Sequence, residues 1–502
     1  MSDISVILSI DFGTQYSSFS YAHVLNNAVI TNNDWPGVTG QPRIETALQY
    51  DSDFQNVIAW GYEALATKPT SKKYKKNKTK PIELFKLHLR DIPESQKPTL
   101  PVINNFSNYH CYLYYNNKGN LARGTITTRW PKVDFYNNVH LILTVPAEWS
   151  NREIDIMREC VFNASLIKKK DSSNLEFLTE REAVANYCMK IAKEYFNIIG
   201  KKFMIVNCGR ETVDLTTREL LENELGKIAS RHADFCGGSD VEQQFLRFIT
   251  SKVGTSAVER LKEFNFGHYQ NMIRQYSECI QSRFTGDEFF YEFDLEDACP
   301  AIKKYVSGPS RDVLEKDEWI IDFDTETVKS LFDPVIKKIT ELIHELNSFE
   351  PCSAIFLIGE FSESKYLQST IKERFKSIVN HISIPPQPTC AVTRGATEYG
   401  LRKTTRTMKA TSEINKLLLG ETSVGKYGLG KTAHTMKATS ETNKLLLGET
   451  GEGKYGLRKT AHTMKTPSEI NILLLGETGV GKSTFINAFA NYLRYDTLDD
   501  AK

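Results

Sequence analysis

Two short stretches carry side chains suited to holding phosphate. In the first, Asp11-Phe12-Gly13-Thr14-Gln15-Tyr16, a carboxylate stands near the end of an apolar run and a glycine follows two residues on. Asp11 can hold Mg²⁺ through water, because that ion prefers hard oxygen ligands and keeps much of its hydration. Gly13 lets a ligand approach the backbone closely, and the amides and hydroxyls of Thr14, Gln15 and Tyr16 can converge on phosphate oxygens. The second stretch, Asn207-Cys208-Gly209-Arg210-Glu211-Thr212, repeats that order with Gly209 and Thr212. Gly237-Gly238 precede a predicted helix whose first amides suit phosphate, although such a turn is equally common as punctuation. Taken alone, each hairpin also fits a plain polar turn between two strands.

The elements that must position these groups are written in the apolar pattern. Val6, Ile7, Leu8 and Ile10 predict a buried strand before the first turn, and Phe203 to Val206 predict one before the second. Ala354 to Ile358 predict a strand entering a third glycine turn at Gly359, with Phe361 just beyond, and HLILTV at 140–145 predicts another, broken at Pro146. Helices are expected to open at three capping boxes, Ser150/Glu153, Thr179/Glu182 and Ser239/Glu242. Thr325 to Leu346 has the apolar spacing of a long amphipathic helix with a kink expected at Pro334, and a short helix is expected from Ala391 to Gly400. Glu180 falls in the first turn of a helix, where a carboxylate is ordinarily a partner for the helix dipole. Lys86, between Phe85 and Leu87, reads either as a surface lysine or as one reaching into a cleft. The run from Lys68 to Lys80, with seven lysines and no acid, reads as a solvated loop or as a patch for acidic partners.

At 502 residues the chain is too long for one ordinary core, so two to four compact units are expected. Hydrophobic residues at 40%, charged residues at 25% and a net charge of +1 fit a soluble globular protein with no global attraction to nucleic acid or anionic membrane. The nine cysteines show no CxxC pair and no metal-like spacing. No basic segment opens the chain and no run of 18 apolar residues occurs, so no membrane span and a cytoplasmic location are expected.

In order along residues 1–402, DFGTQYSSF, LTVPAEW, TEREAVANY, NCGRETVDLT, FCGGSDVE, LIGEFSESKYL and AVTRGATEYGL resemble the motifs of the seventy-kilodalton heat-shock (DnaK-type) family in the actin and sugar-kinase superfamily. The resemblance implies an α/β, two-lobed actin-like ATPase fold with RNase-H-like sheets closing on Mg-ATP. Lobe I would comprise 1–200 and 385–402, with 34–136 as its peripheral subdomain. Lobe II would comprise 201–384, with 239–319 peripheral. By the same resemblance Asp11 is a magnesium-side carboxylate, Thr14, Gln15 and Tyr16 meet the β- and γ-phosphates, and Thr212 meets the γ-phosphate. Lys86 is then the phosphate-reaching lysine, Glu180 positions water, and Gly359 and Phe361 line the nucleoside side.

Departures from the family pattern matter as much as the matches. Asn207 stands where an aspartate is usual, Arg210 and Glu211 replace glycines, Glu360 replaces a second glycine, and Arg181 replaces a proline. An asparagine cannot accept a proton or offer a full negative charge, so Asn207 makes the catalytic set degenerate and weak or lost hydrolysis is expected. The family's standard peptide-binding half is not recognisable.

After Gly400 a unit recurs, GLRKT at 400, GLGKT at 428 and GLRKT at 456, each followed by a leucine strand and a glycine turn. Only the last copy, LLLGETGVGKSTF from 473, satisfies the P-loop pattern, with Gly476, Gly481, Lys482 and Ser483. In such a loop the amides wrap phosphate, Lys482 reaches the β- and γ-phosphates and Ser483 ligates Mg²⁺, with Thr484 beside it among the nucleotide contacts. Tyr427 and Tyr455 fill the hydroxyl position in the earlier copies. Residues 471–502 resemble the start of a GTPase of the septin and immune-associated type, which makes GTP a second candidate ligand. This segment is expected to be a truncated unit whose strands have little to pair with, preceded by a basic linker at 403–470. From Arg402 to Lys465 there are 13 lysines and arginines against 5 glutamates, which suits a linker first and a docking site for an acidic or nucleic-acid partner second.

Three readings follow. The first is an ATP-binding, chaperone-like module with little turnover, with protein partners on the lobe surface or the basic tail. The second is an active ATPase of the same superfamily. The third is a GTPase fragment whose amino-terminal part is regulatory.

Overall fold

Strand β1 (Val6–Phe12) is apolar at nearly every position because it lies inside a sheet with a neighbour on each edge and cover on both faces. The computed structural model describes residues 4–54, 56–65, 79, 81–89, 97, 109–196, 198–222 and 225–419, together with the backbone of three strands at 444–450, 454–459 and 471–474. β1 turns back into β2 (Tyr16–His23), antiparallel, with Phe12 opposite Ser17. β2 in turn pairs with β3 (Ile30–Thr31) and, at its start, with β4 (Ile44–Glu45). On its other edge β1 pairs in parallel with β5 (Val139–Val145), and β5 with β6 (Leu175–Thr179).

The second half repeats this plan. β7 (Lys202–Cys208) turns back into β8 (Val213–Leu220), which pairs antiparallel with β9 (Leu225–Asp234). On its other edge β7 pairs in parallel with β10 (Ala354–Ile358), and β10 with β11 (His381–Ser383). The main path of each sheet therefore has the same order, third-second-first-fourth-fifth in chain sequence, with the same sense at every edge. The architecture is mixed α/β with mixed sheets and agrees with an actin-like ATPase fold.

Helix α1 (Tyr109–Arg129) packs on α2 (Asn151–Asn163) beside the first sheet. α3 (Glu180–Ile191) is capped by Thr179, as its capping box predicts, and Ser150 receives the Glu153 carboxylate on its amide at 2.6 Å. In the second half α4 (Gly238–Val253) packs against α5 (Thr325–Phe349), which runs through Pro334 without interruption, and α6 (Lys365–Phe375) packs on α5. Phe290–Asp294 and Ile320–Asp324 pair antiparallel, a strand pair that the apolar pattern does not announce.

The last helix, α7 (Ala391–Leu419), returns to the first sheet, crossing β1, β2 and β5 and lying along α3. It does not stop at Gly400. There a Cβ would lie 2.6 Å from the Ile7 side chain and 2.7 Å from that of Ile142, so this glycine is a packing residue inside the helix and not its end. α3 in turn buries Val184, Tyr187 and Cys188 against Phe203, Ile205 and Phe356 of the second sheet, so α3 and α7 join the two halves. In the tail, Lys444–Thr450 pairs antiparallel with Lys454–Lys459 and in parallel with Asn471–Leu474. The strand at 471–474, expected to find little to pair with, thus lies beside a strand of the preceding repeat. Among the described residues no helix is long and apolar enough to cross a membrane.

Candidate functional site

The first turn is too tight for any residue but glycine at position 13, where a Cβ would lie 2.1 Å from the Tyr16 carbonyl oxygen. Its outer side is tied down by Thr46, whose hydroxyl donates to the Gly13 carbonyl at 2.9 Å and whose amide donates to that of Gln15 at 2.7 Å. Asp11 accepts from the Thr144 hydroxyl at 2.8 Å, which leaves its second carboxylate oxygen at the end of β1. The Asp11 main-chain carbonyl accepts from Lys118 at 2.6 Å. Lys118 is fully buried, and burial pushes its amine down to about 7 against the pull of the Asp11 charge.

Lys86 is no surface lysine. Its ammonium lies 5.6 Å from the Phe12 ring centre, 5.3 Å from that of Trp149 and 3.7 Å from the Glu180 carboxylate. Burial pushes the Glu180 carboxyl above the usual carboxylate range, Lys86 pulls it back, and Asp11 adds to the rise. Asp11, Lys86 and Glu180 therefore form one electrostatic group under the first turn.

The second turn has the same construction. The Gly209 amide donates to the Thr212 carbonyl at 2.9 Å, and Asn207 holds in β7 the penultimate place that Asp11 holds in β1. Gly359 has φ +87, and a Cβ there would lie 2.5 Å from the Asn207 side-chain oxygen and 2.5 Å from the Cys208 carbonyl oxygen. Gly237 abuts the turn in the same way, 2.5 Å from the Arg210 carbonyl oxygen by the same measure. The amides of Gly238 and Ser239 donate to the Gly209 and Arg210 carbonyls at 3.2 and 2.7 Å, so the start of α4 is bound to the turn itself.

The third capping box is not formed by Ser239 and Glu242. α4 begins at Gly238, Asp240 accepts from the Gly237 amide at 2.9 Å, and Glu242 takes both guanidinium nitrogens of Arg210, one at 2.7 Å. A charged partner across the turn outcompetes the local cap. The Phe361 ring is buried, 6.3 Å from the Phe332 ring centre and 3.5 Å from where a Cβ on Gly238 would stand.

The two turns meet. Gln15 donates to the Glu211 carboxylate at 3.1 Å. Arg43 lies 4.2 Å above the Tyr16 ring centre and pairs with Glu360 at 2.9 Å, while Arg210 stands 3.8 Å from the other Glu360 oxygen. Burial, and next the Glu360 charge, push the Tyr16 hydroxyl up to about 12. Beside this contact, Arg181 of the first half and Arg231 of the second share Asp214 at 3.0 and 2.8 Å, and both reach Glu148.

Among the described residues no group of three or more His, Cys, Asp or Glu side chains is placed to hold a metal. Asp11, with one carboxylate oxygen taken by the Thr144 hydroxyl, fits an ion held mainly through water. Gly13, Thr14, Gln15 and Lys86 fit phosphate. Glu211 opposes it, because a carboxylate that meets a neutral amide keeps its charge and repels a polyanion. Thr14, Asp11, Lys86 and Glu180 lie on the first half's side, and Asn207, Gly209, Thr212, Gly237, Gly238 and Gly359 on the second. Gly476, Gly481, Lys482, Ser483 and Thr484 lie outside the described residues.

Sequence reasoning missed Lys118, Arg43 and Glu148. Lys118 sits in YNNKGN, a segment that reads as polar surface, and nothing in the pattern of α1 marks one face as the core. The ion-pair partners lie far apart in sequence and carry no local signature.

No protein-family model matches the chain. It is 22% identical over 341 residues to the mouse (Mus musculus) "Heat shock 70 kDa protein 12A", an alignment covering 53% of this chain and 49% of that protein. The human (Homo sapiens) 12A protein is 21% identical over 337 residues, with the same coverage. Human "Heat shock 70 kDa protein 12B" is 22% identical over 490 residues, covering 79% of this chain and 68% of that protein. The chain thus spans about half the length of the 12A relatives it matches. These similarities support a distant relationship to the seventy-kilodalton heat-shock branch of the actin-like ATPase superfamily.

Proposed function

We propose that the protein binds Mg-ATP between its two glycine turns and hydrolyses it slowly or not at all. The observation that carries this reading is the meeting of equivalent residues, Gln15 and Glu211, one from each glycine turn. Mg²⁺ would supply charge neutralisation for the phosphates, held through Asp11. Gly13 and the amides of Thr14 and Gln15 would cradle phosphate oxygens, Lys86 would approach them from beneath, and Glu180 would hold the attacking water. The place in the second half equivalent to that of Asp11 is taken by Asn207, which can orient water but cannot accept its proton. In this reading 1–200 with 385–402 form lobe I and 201–384 lobe II, supported by the return of α7 to the first sheet.

Titration calorimetry with ATP, ADP and GTP, beside a steady-state phosphate-release assay, tests the proposal. ATP and ADP binding with little turnover is expected, and turnover at an ordinary ATPase rate overturns the impaired-site reading. GTP binding abolished by Lys482→Ala and untouched by Lys86→Ala would instead move the nucleotide site to the C-terminal P-loop.

A further inference from the structure

Glu360 follows a glycine whose left-handed backbone, with φ +87, is pressed against Asn207 and Cys208. That turn aims the Glu360 side chain between two guanidinium groups. One oxygen meets Arg43 of the first half at 2.9 Å and the other faces Arg210 of the second half at 3.8 Å. Arg43 is braced from below by the Tyr16 ring at 4.2 Å, and Arg210 is anchored from behind by Glu242. The Arg43 and Glu360 side chains are 21% and 26% exposed, so water screens the pair only in part.

Planar guanidinium groups converging on one carboxylate make the arrangement proteins use to recognise phosphate or carboxylate ligands. Here the anion is supplied by the chain itself, and its strongest bond crosses from one half to the other. We infer that Glu360 is an internal anion that bridges Arg43 and Arg210, holds the halves together without ligand, and must be displaced by an incoming phosphate group. The Gln15–Glu211 and Arg181–Asp214 contacts lie on the same boundary and add to the closure. Binding of a polyphosphate is then coupled to release of the bridge, because one anion replaces another on the same cations.

The bridge needs no nucleotide, whereas the identity of its competitor rests on the nucleotide reading. The test uses the full chain and two variants, Glu360→Gln and Arg43→Gln, so that a folding failure of one leaves the other. Hydrogen exchange is followed without ligand at the amides of 13–16 and 209–212, and inorganic tripolyphosphate is titrated separately. Both variants are expected to exchange about three- to tenfold faster in both turns, the range of a partly buried ion pair. Glu360→Gln is expected to bind tripolyphosphate more tightly by a similar factor, and Arg43→Gln more weakly. Faster exchange with no tripolyphosphate binding in any form supports the bridge and removes the nucleotide reading. Unchanged exchange in both variants overturns the bridge, whatever binds.

Discussion

The side-chain amide of Gln15 donates to the Glu211 carboxylate at 3.1 Å, across 196 positions of sequence. Each residue stands two places after the glycine of its own turn, so the same position of two equivalently built hairpins meets its counterpart. Contacts of this kind arise where a surface faces a copy of itself, and here both copies belong to one chain. The repetition of sheet order in the two halves makes the relationship structural and not a coincidence of two side chains.

That equivalence also sets Asn207 against Asp11. If hydrolysis is weak because a carboxylate is missing, Asn207→Asp should raise ATP turnover by about 10²-fold or more, the scale of a positioned general base. The neighbouring Asp214 is already held by Arg181 and Arg231, which limits repulsion of the new charge. Steady-state phosphate release checks this, and unchanged turnover with intact ATP binding would move the defect elsewhere.

Lys86 and Glu180 are expected to separate binding from chemistry. Lys86→Met keeps much of the stem between Phe12 and Trp149 but removes the charge, and should weaken ATP binding roughly tenfold or more. Glu180→Gln should lower residual turnover by about 10²-fold with affinity little changed. Comparing Kd from calorimetry with single-turnover rates reads both, and equal losses in both quantities for both variants would contradict the assignment.

Packing makes a prediction independent of any ligand. A Cβ at Gly395 would lie 1.8 Å from the Ala183 carbonyl oxygen, where α7 meets α3, so Gly395→Ala forces the helices apart and should cost about 1–3 kcal/mol. Gly124, inside α1, has open space around it, and Gly124→Ala should stabilise by about 0.5–1 kcal/mol. Urea unfolding of the two variants checks both signs.

The anchorage of α7 should respond to acid. Glu176 accepts from His140 at 2.9 Å, Tyr399 at 2.8 Å and Lys403 at 2.7 Å. Burial alone would raise its carboxyl, but these three donors outweigh it and hold it down to about 2. Because the folded value lies below the unfolded one, the stabilisation is present above the ordinary carboxylate range and is lost as pH falls toward 2. It amounts to about 2–3 kcal/mol. Glu176→Gln should flatten the stability profile between pH 5 and pH 2 by that amount, and identical profiles would contradict the prediction.

The two glycine turns, the strands before them and the caps of α2 and α3 are legible in the sequence, because buried strands are apolar runs and local caps are local patterns. What is not legible is decided at a distance. Gly400 looks like a helix stop, yet its missing side chain makes room for Ile7 and Ile142. Glu242 looks like a cap until Arg210 is brought to it by the turn. Arg43 and Glu360 are 317 residues apart, and only the fold pairs them. Residues 290–294 and 320–324 alternate over too few positions to announce a strand pair across the helical segments between them.

The most direct measurement joins the two turns covalently. With Gln15→Cys and Glu211→Cys in a chain whose own cysteines are buried except for the half-exposed Cys279, a short bis-maleimide should link positions 15 and 211 within one molecule. The linked protein should lose ATP binding that the unlinked double variant retains. Failure to link, or undiminished ATP binding once linked, would contradict a nucleotide site between the two turns.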